Sequence, residues 1–428
     1  MDINTPQSRY WVYDWLDENG ITTVESARLL FADPVAVSDL RQRAERANQT
    51  QDVVPDGETS ILTGRGIDLS SQLDCNHWAC RKRQVDLLFR QVWLYFDRII
   101  VQDSIAHEVA LHWDDLDNRR DWVLSHIQML LYLREIKADS LLHFRVKPPG
   151  CVVHLKRHTE EAGLSHVFEF EDKLVRELEA KAEISTKTIG RGAISYRLNH
   201  PAFVHTRWGE IPKRLLAGTR PKQLRRLIVR QEIREFLAFL NSDVISARES
   251  EAPLGAVIPL HRRLLESSHP ISAADVALSL DLPVLNGIAP EVLIEIRKNE
   301  KEHFTRFRNR LRLAIQERIK TAESPNAQEL ALEIRRDLID TELTSIRDRL
   351  SASERTMVKK SAVGVFLGAL ATTCGLISGL PASVAVSAGV AATLGMTQAA
   401  TSKYLEEEGN ISLSDMYFAW KAMQHADD

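Results

Sequence analysis

The chain has 428 residues, of which 44% are hydrophobic and 27% are charged, and its formal net charge is −4. This length is enough for two or three domains with their own cores, so the fold does not need disulfides or metals to be stable. Four scattered cysteines do not make a disulfide framework, and the near-neutral charge argues against a dedicated nucleic-acid-binding protein. We see no secretory leader at the start and expect a cytoplasmic protein.

Apolar residues at three- and four-residue spacing predict helices between Ser8 and Asn48, with a break at Asp33 and Pro34. The stretch from Gln49 to Gly66 is polar and rich in turn residues, and we expect a loop there. A helix is then predicted around Val85 to Phe96.

Short β-branched runs follow these helices. RIIVQD, from Arg98 to Asp103, and LLHFRV, from Leu141 to Val146, are typical of buried strands, with a helix predicted between them over residues 121–138. Two β-rich runs between Glu183 and Val204 flank Gly190-Arg191-Gly192 and predict a hairpin. The next predicted helix covers residues 221–240.

A boundary is predicted at Ser246 to Gly255, and the chain beyond it has only helical patterns. We therefore expect a mostly α (α+β) fold in three parts. Residues 1–245 form an α+β domain with a small sheet or hairpin, residues 256–350 an amphipathic helical domain, and residues 351–428 an uncharged Gly/Ala-rich helical hairpin with a C-terminal helix.

The run from Ser361 to Ser402 contains no charged residue, although lysines flank it at both ends. Since one membrane span takes about 20 residues, its length suits two spans joined at the Gly379-Leu380-Pro381 break. The spacing of small residues favours two closely packed helices; the residues concerned are Gly364, Gly368, Gly375, Gly379 and Pro381. The same pattern suits a hairpin buried in a water-soluble core, or one sheltered at rest and released into a bilayer.

Two groups of cysteine and histidine residues suggest a metal site. The stretch DCNHWACRKR contains Cys75, His77 and Cys80, which are good zinc ligand types at an unusual spacing. A fourth ligand is expected from Cys151, His154 or His158, whose i, i+3 and i+7 positions share one face of a helix. The alternative is that the cysteines are small buried residues and the histidines are surface groups.

Two stretches, Lys213–Arg234 and Arg297–Lys320, are rich in basic residues. In the second, Phe304, Phe307, Leu311 and Ile315 share one face, and arginines fill the other. Such a helix binds anionic lipid, binds nucleic-acid phosphates, or packs its apolar face and solvates its arginines. The candidates for binding an anionic surface are Arg306, Arg308, Arg310 and Arg312.

Motifs of catalysis are missing from the sequence. His107 and His112 are five residues apart rather than the four of the HExxH zinc motif, and neither a GxxxxGK[ST] phosphate loop nor a GxSxG elbow is present. Gly64-Arg65-Gly66 is too short to be a nucleotide fingerprint. We predict no catalytic residues, and we expect a protein that is not an enzyme.

Three stretches resemble parts of uncharacterised bacterial proteins: LYFDRIIV (Leu94–Val101), the helical segment Leu282–Ile315, and the closing MYFAWKAM. The resemblance implies a bacterial protein outside the housekeeping set, and it carries over no activity and no site residues.

We therefore expect a non-enzymatic bacterial effector or scaffold that acts through its C-terminal hairpin, by perturbing the inner membrane in a toxin or phage-defence setting. A protein partner and an oligomer fit this role, as does an anionic membrane; nucleic acid fits it less well. The first alternative is a water-soluble protein-binding subunit whose hairpin is buried as core. The second is a metal-dependent hydrolase or nuclease, with zinc as its cofactor.

Overall fold

A small parallel β-sheet organises the N-terminal part of the protein. The computed structural model describes residues 10–49, 59–69, 77–92, 95–111, 116–147, 150–190, 193–203, 211–214, 221–266, 271–280, 289–322, 326–344 and 419. The four strands run in the order β3-β2-β1-β7 and are β1 Ser60–Thr63, β2 Arg98–Gln102, β3 Leu142–Arg145 and β7 Leu254–Gly255. All neighbouring pairs are parallel, so the carboxyl ends of the strands meet at one edge of the sheet.

Helices make up most of the described residues, which confirms the mostly α (α+β) prediction. Their bounds are α1 Trp11–Glu18, α2 Val24–Leu30, α3 Pro34–Gln49, α4 Trp78–Val92, α5 Ser104–Leu111, α6 Leu116–Glu135, α7 Leu155–Glu161, α8 Val167–Lys181, α9 Pro221–Glu249, α10 Pro259–Glu266, α11 Ala273–Ser279, α12 Pro290–Asn299, α13 Lys301–Thr321 and α14 Ala327–Ile334. A π-helical turn, Arg335–Asp340, follows α14.

A second, antiparallel sheet contains the predicted hairpin. Its strands are β4 Glu183–Gly190, β5 Ala193–Asn199 and β6 Ile211–Arg214, in the order β4-β5-β6. The inner face of β5, with Ile194, Tyr196 and Leu198, is buried against α8, α9 and α10. The sequence therefore identified this hairpin correctly.

Helix α9 connects the hydrophobic core of the antiparallel sheet with that of the parallel sheet. Its 29 residues extend for about 43 Å at 1.5 Å per residue. The first half, including Val229 and Phe236, packs in the core of the antiparallel sheet, whereas Ala247 near its end packs on Leu62 and Ile100 of the parallel sheet. One helix thus fixes the position of both sheets.

The sequence missed two strands of the parallel sheet. The segment Gln49–Gly66, predicted to be a loop, contains β1, whose Ile61 and Leu62 are fully buried in the middle of the parallel sheet. The predicted boundary Ser246–Gly255 contains the end of α9 and all of β7, which pairs with β1. Both strands are short, and their stability comes from neighbours that are distant in sequence.

The chain folds into two compact units. The first contains residues 1–281, 289–294 and 318–331, and the second contains residues 282–288, 295–317 and 332–428. Both sheets belong to the first unit. The division into domains at 245, 256 and 351 stays a prediction.

The uncharged run 361–402 and its helix-packing candidates, from Gly364 to Pro381, lie outside the described residues. Among the helices that the structure does describe, none combines the length and the apolar character that a membrane span requires.

Candidate functional site

The carboxyl edge of the parallel sheet is the position at which a sheet of this kind ordinarily carries a functional site. In open α/β sheets, ligands bind outside the carboxyl ends of the strands, where two neighbouring connections leave in opposite directions. Here that position lies between β1 and β7. From β1 the chain continues to β2 on one side, and β7 lies on the other side of β1. The loop Gly64–Leu69 begins at this point. The segments that follow β3 and β7 lie beside this loop.

Lys147 lies in the centre of this edge and is almost completely buried. Its Nζ donates to the backbone carbonyl of Thr63 at 2.7 Å, to Asp68 Oδ2 at 2.9 Å and to Asp243 Oδ1 at 3.2 Å. The side chains of Lys147 and Asp68 are each 2% exposed, and that of Asp243 is 9% exposed. Burial opposes the charge of Lys147, but Asp243 and Asp68 outweigh it and raise the pKa of the ammonium group above its ordinary value.

The second oxygen of each carboxylate accepts a backbone N–H, one from the loop after β1 and one from the last residue of β2. Asp243 Oδ2 accepts the N–H of Arg65 at 3.0 Å, and Asp68 Oδ1 accepts the N–H of Gln102 at 3.1 Å. These are the kinds of amide that hold ligand phosphates in nucleotide-binding α/β folds. In this protein its own carboxylates occupy them, and the edge is closed by an internal ion-pair network.

Glycine is required where the two loops meet. A Cβ atom on Gly64 would lie 2.8 Å from the carbonyl oxygen of Gly255 and 3.3 Å from Asp243 Oδ2, and Gly66 has a φ of +113°. Gly64 N–H donates to the same Gly255 carbonyl at 3.0 Å. The prediction that these are turn glycines agrees with this geometry, in which the loops after β1 and β7 approach closely.

A serine and a histidine, Ser104 of α5 and His126 of α6, also lie in contact. Ser104 Oγ lies 3.0 Å from His126 Nε2, and an Arg81 guanidinium nitrogen lies 3.2 Å from the same ring atom. Burial and the charge of Arg81 hold the pKa of His126 well below its usual range. His126 and Ser104 are 2% and 8% exposed, so the pair connects α4, α5 and α6 and does not face solvent as a nucleophile and base would.

The structure brings Cys151, His154 and His158 together at the start of α7. Within the described residues, they form the group of His, Cys, Asp or Glu side chains that is close enough to share a metal ion, and their ligand atoms all lie within 4.8 Å of one another. Cys151 Sγ lies 3.3 Å from His154 Nδ1. The site is accessible, because His154 is exposed and the other two side chains are half-buried.

The spacing predicted that the three residues share one face of a helix, and this prediction is only partly correct. Cys151 precedes α7 and His154 is its N-cap residue, so only His158 lies within the helix. Cys151 reaches the other two through a turn in which the His154 N–H donates to its Sγ at 3.4 Å.

Two of the other predicted metal ligands, His77 and Cys80, are not part of this group. His77 and Cys80 are exposed at the start of α4, and Cys75 lies outside the described residues. No member of the DCNHWAC stretch is therefore placed beside Cys151, His154 and His158 in the described structure.

The arginines predicted to bind an anionic surface all lie on α13. The apolar face of this helix is buried as predicted, through Phe304, Phe307, Leu311 and Ile315. Arg310 and Arg312 are exposed, whereas Arg306 and Arg308 are half-buried and contact His303 and the Phe304 ring, respectively. Leu313 is 55% exposed beside the exposed arginine pair.

No family model matches this chain, and no curated protein or solved structure matches it either. Function is therefore inferred from the geometry of the chain.

Sequence reasoning missed the cluster of Lys147, Asp68 and Asp243. The available signal was a charged residue shortly after each of two runs of strand-forming residues: Lys147 after LLHFRV and Asp68 after SILTGRGI. The parallel order of the strands, which brings these ends together, could not be read from that signal.

Proposed function

We propose that this protein is a non-enzymatic effector or scaffold of a bacterial cell, located in the cytoplasm or at the inner membrane. One observation carries the proposal: the Lys147 ammonium group joins Asp68 and Asp243 at the edge where an α/β enzyme would hold its ligand. A crevice filled by the protein's own buried ion pairs supports a structural role for the sheet. The α/β part then serves as a rigid support for the C-terminal part of the chain.

The effector end is proposed to be the uncharged run 361–402, folded as a helical hairpin that perturbs a membrane. Its composition and its two span lengths support this assignment. On α13, the exposed Arg310 and Arg312 beside the exposed Leu313 offer both charge and apolar surface to an anionic lipid layer. A toxin or phage-defence setting, with a protein partner as trigger, is consistent with such an activity.

The test uses the full-length chain without detergent. We expect the protein to sediment with liposomes of phosphatidylglycerol and phosphatidylethanolamine and to release a trapped dye from them. Leu367→Arg and Leu370→Arg should each reduce dye release, because an arginine at the centre of a span costs about 2.5–3.5 kcal/mol of insertion free energy. Leu332→Arg makes the same chemical change at a residue that is already 63% exposed, and it should leave dye release unchanged.

The first alternative, a subunit whose hairpin is buried as core, makes the opposite prediction. Protein found wholly in the high-speed supernatant, with no dye release and with strong hydrogen-exchange protection over Val363–Met396, would replace the membrane proposal with this one.

The second alternative is a metal-dependent hydrolase or nuclease, and the clustering of Cys151, His154 and His158 favours it. Hydrolysis that is lost in His154→Ala while the far-UV circular dichroism is retained would support it over the effector.

A further inference from the structure

We propose that Cys151, His154 and His158 bind one zinc ion, with Glu161 orienting His158 and the fourth coordination position open to water. This inference is independent of the membrane proposal, because it depends only on side chains around α7.

The distances suit a tetrahedral ion. Zinc bonds of about 2.3 Å to sulfur and about 2.0–2.1 Å to nitrogen place neighbouring ligand atoms about 3.3–3.6 Å apart. Cys151 Sγ and His154 Nδ1 are already 3.3 Å apart. The largest separation in the group is 4.8 Å or less, so a small side-chain rotation at the exposed His154 or at His158 completes the set.

Glu161 has the position of a supporting carboxylate. Its Oε2 lies 2.9 Å from His158 Nδ1. When Nδ1–H donates to this carboxylate, the lone pair of the imidazole lies on Nε2, which is then the metal ligand. Carboxylate–histidine pairs of this kind hold the ring in place and raise its basicity toward zinc.

The support beneath the ligands is rigid, although α7 has only seven residues. Leu155 and Thr159 are buried, and Thr159 Oγ1 accepts from Asn241 Nδ2 on α9 at 2.9 Å. Arg248 of α9 donates to the carbonyls of Glu161 and Ala162 at 2.8 and 2.9 Å, which fixes the end of α7. His158 therefore projects from a helix that is held at both its buried face and its carboxyl end, and Cys151 and His154 lie in the turn that leads into this helix.

The donor set selects the class of metal. One sulfur and two imidazole nitrogens suit zinc better than magnesium or calcium, which prefer oxygen ligands. On binding, the Cys151 S–H bond is replaced by a sulfur–zinc bond and the thiol proton passes to solvent, while both histidines bind as neutral rings. Zinc affinity should therefore fall as the pH is lowered, since protons compete for the same atoms.

The test titrates zinc alone into the metal-free full-length protein and follows binding by calorimetry. We expect one zinc per chain, and a loss of this binding in both Cys151→Ser and His158→Ala. Cys80→Ser and His77→Ala are matched controls, because they remove the same groups from exposed positions at the start of α4, and they should bind zinc like the wild type.

Two further measurements separate a metal site from a structural effect of the substitutions. Glu161→Gln should weaken zinc binding about 10- to 100-fold without preventing it, as expected for a residue that acts through His158. Cobalt in place of zinc should show sulfur-to-cobalt charge transfer in the near ultraviolet, and Cys151→Ser should abolish this band. The proposal is overturned if the wild type binds no stoichiometric zinc, or if Cys80→Ser and His77→Ala remove the binding and Cys151→Ser does not.

Discussion

The ammonium group of Lys147 lies 2.9 Å from the carboxylate of Asp68, although 79 positions separate the two residues along the chain. Asp243 of α9 is the third member of the cluster, and 96 positions separate it from Lys147 along the chain. The Lys147 ammonium group therefore joins the loop after β1, the chain that follows β3 and the second half of α9.

Lys147→Met should lower the free energy of unfolding by about 3–5 kcal/mol, because it leaves two buried carboxylates without their cation. Urea denaturation at neutral pH measures the effect. Lys173→Met makes the same change at an exposed position of α8 and should alter stability by no more than about 0.5 kcal/mol. Equal stability of the two variants would mean that the cluster does not hold this edge.

Acid should destabilise the protein through His261, which is 1% exposed. Burial, followed by the nearby Arg65 charge, lowers the pKa of His261 to about 3, whereas the unfolded chain has an ordinary value of about 6.5. Between these values the unfolded chain binds one more proton. The free energy of unfolding attributable to this residue therefore falls by about 1.4 kcal/mol per pH unit as the pH drops from about 6.5 toward 3.

The matching variant is His261→Gln, whose amide can still donate to the Phe236 carbonyl that accepts from His261 Nε2 at 3.2 Å. Urea denaturation at several pH values should give a shallower loss of stability in this variant than in the wild type. Identical slopes would contradict the assignment of this proton to His261.

Tyr196→Phe should destabilise the protein by about 1–3 kcal/mol. The Tyr196 hydroxyl donates to the carboxylate of the buried Glu232, and this bond connects β5 to α9. Tyr132→Phe is the control, since the Tyr132 hydroxyl contacts Glu291 at 3.4 Å in an exposed position. Thermal unfolding should show a clear decrease in melting temperature for the first variant and little change for the second.

Gly64→Ala should also destabilise the chain, by about 1–3 kcal/mol, because the added methyl group would lie 2.8 Å from a backbone oxygen that cannot rotate away. Differential scanning calorimetry measures the shift. A melting temperature equal to that of the wild type would mean that the loops after β1 and β7 can separate without cost.

Local patterns in the sequence were sufficient for many elements. The apolar face of α13 and the strands β2 and β3 follow from periodicity and β-branched runs, which act over a few neighbouring residues. The hairpin around Gly190 is equally local. The approach of Cys151 to His154 and His158 was predictable for the same reason, because seven positions separate its first and last members.

The sequence alone thus determined many of the helices, the strands β2 and β3 and the hairpin, because each depends on contacts between near neighbours. Only the tertiary structure decided that Ser60–Thr63 and Leu254–Gly255 are strands and that Lys147, Asp68 and Asp243 share one buried site. The physical reason is that a short strand has little stability of its own, and a buried charge is tolerated only beside partners that a parallel sheet brings from distant parts of the chain.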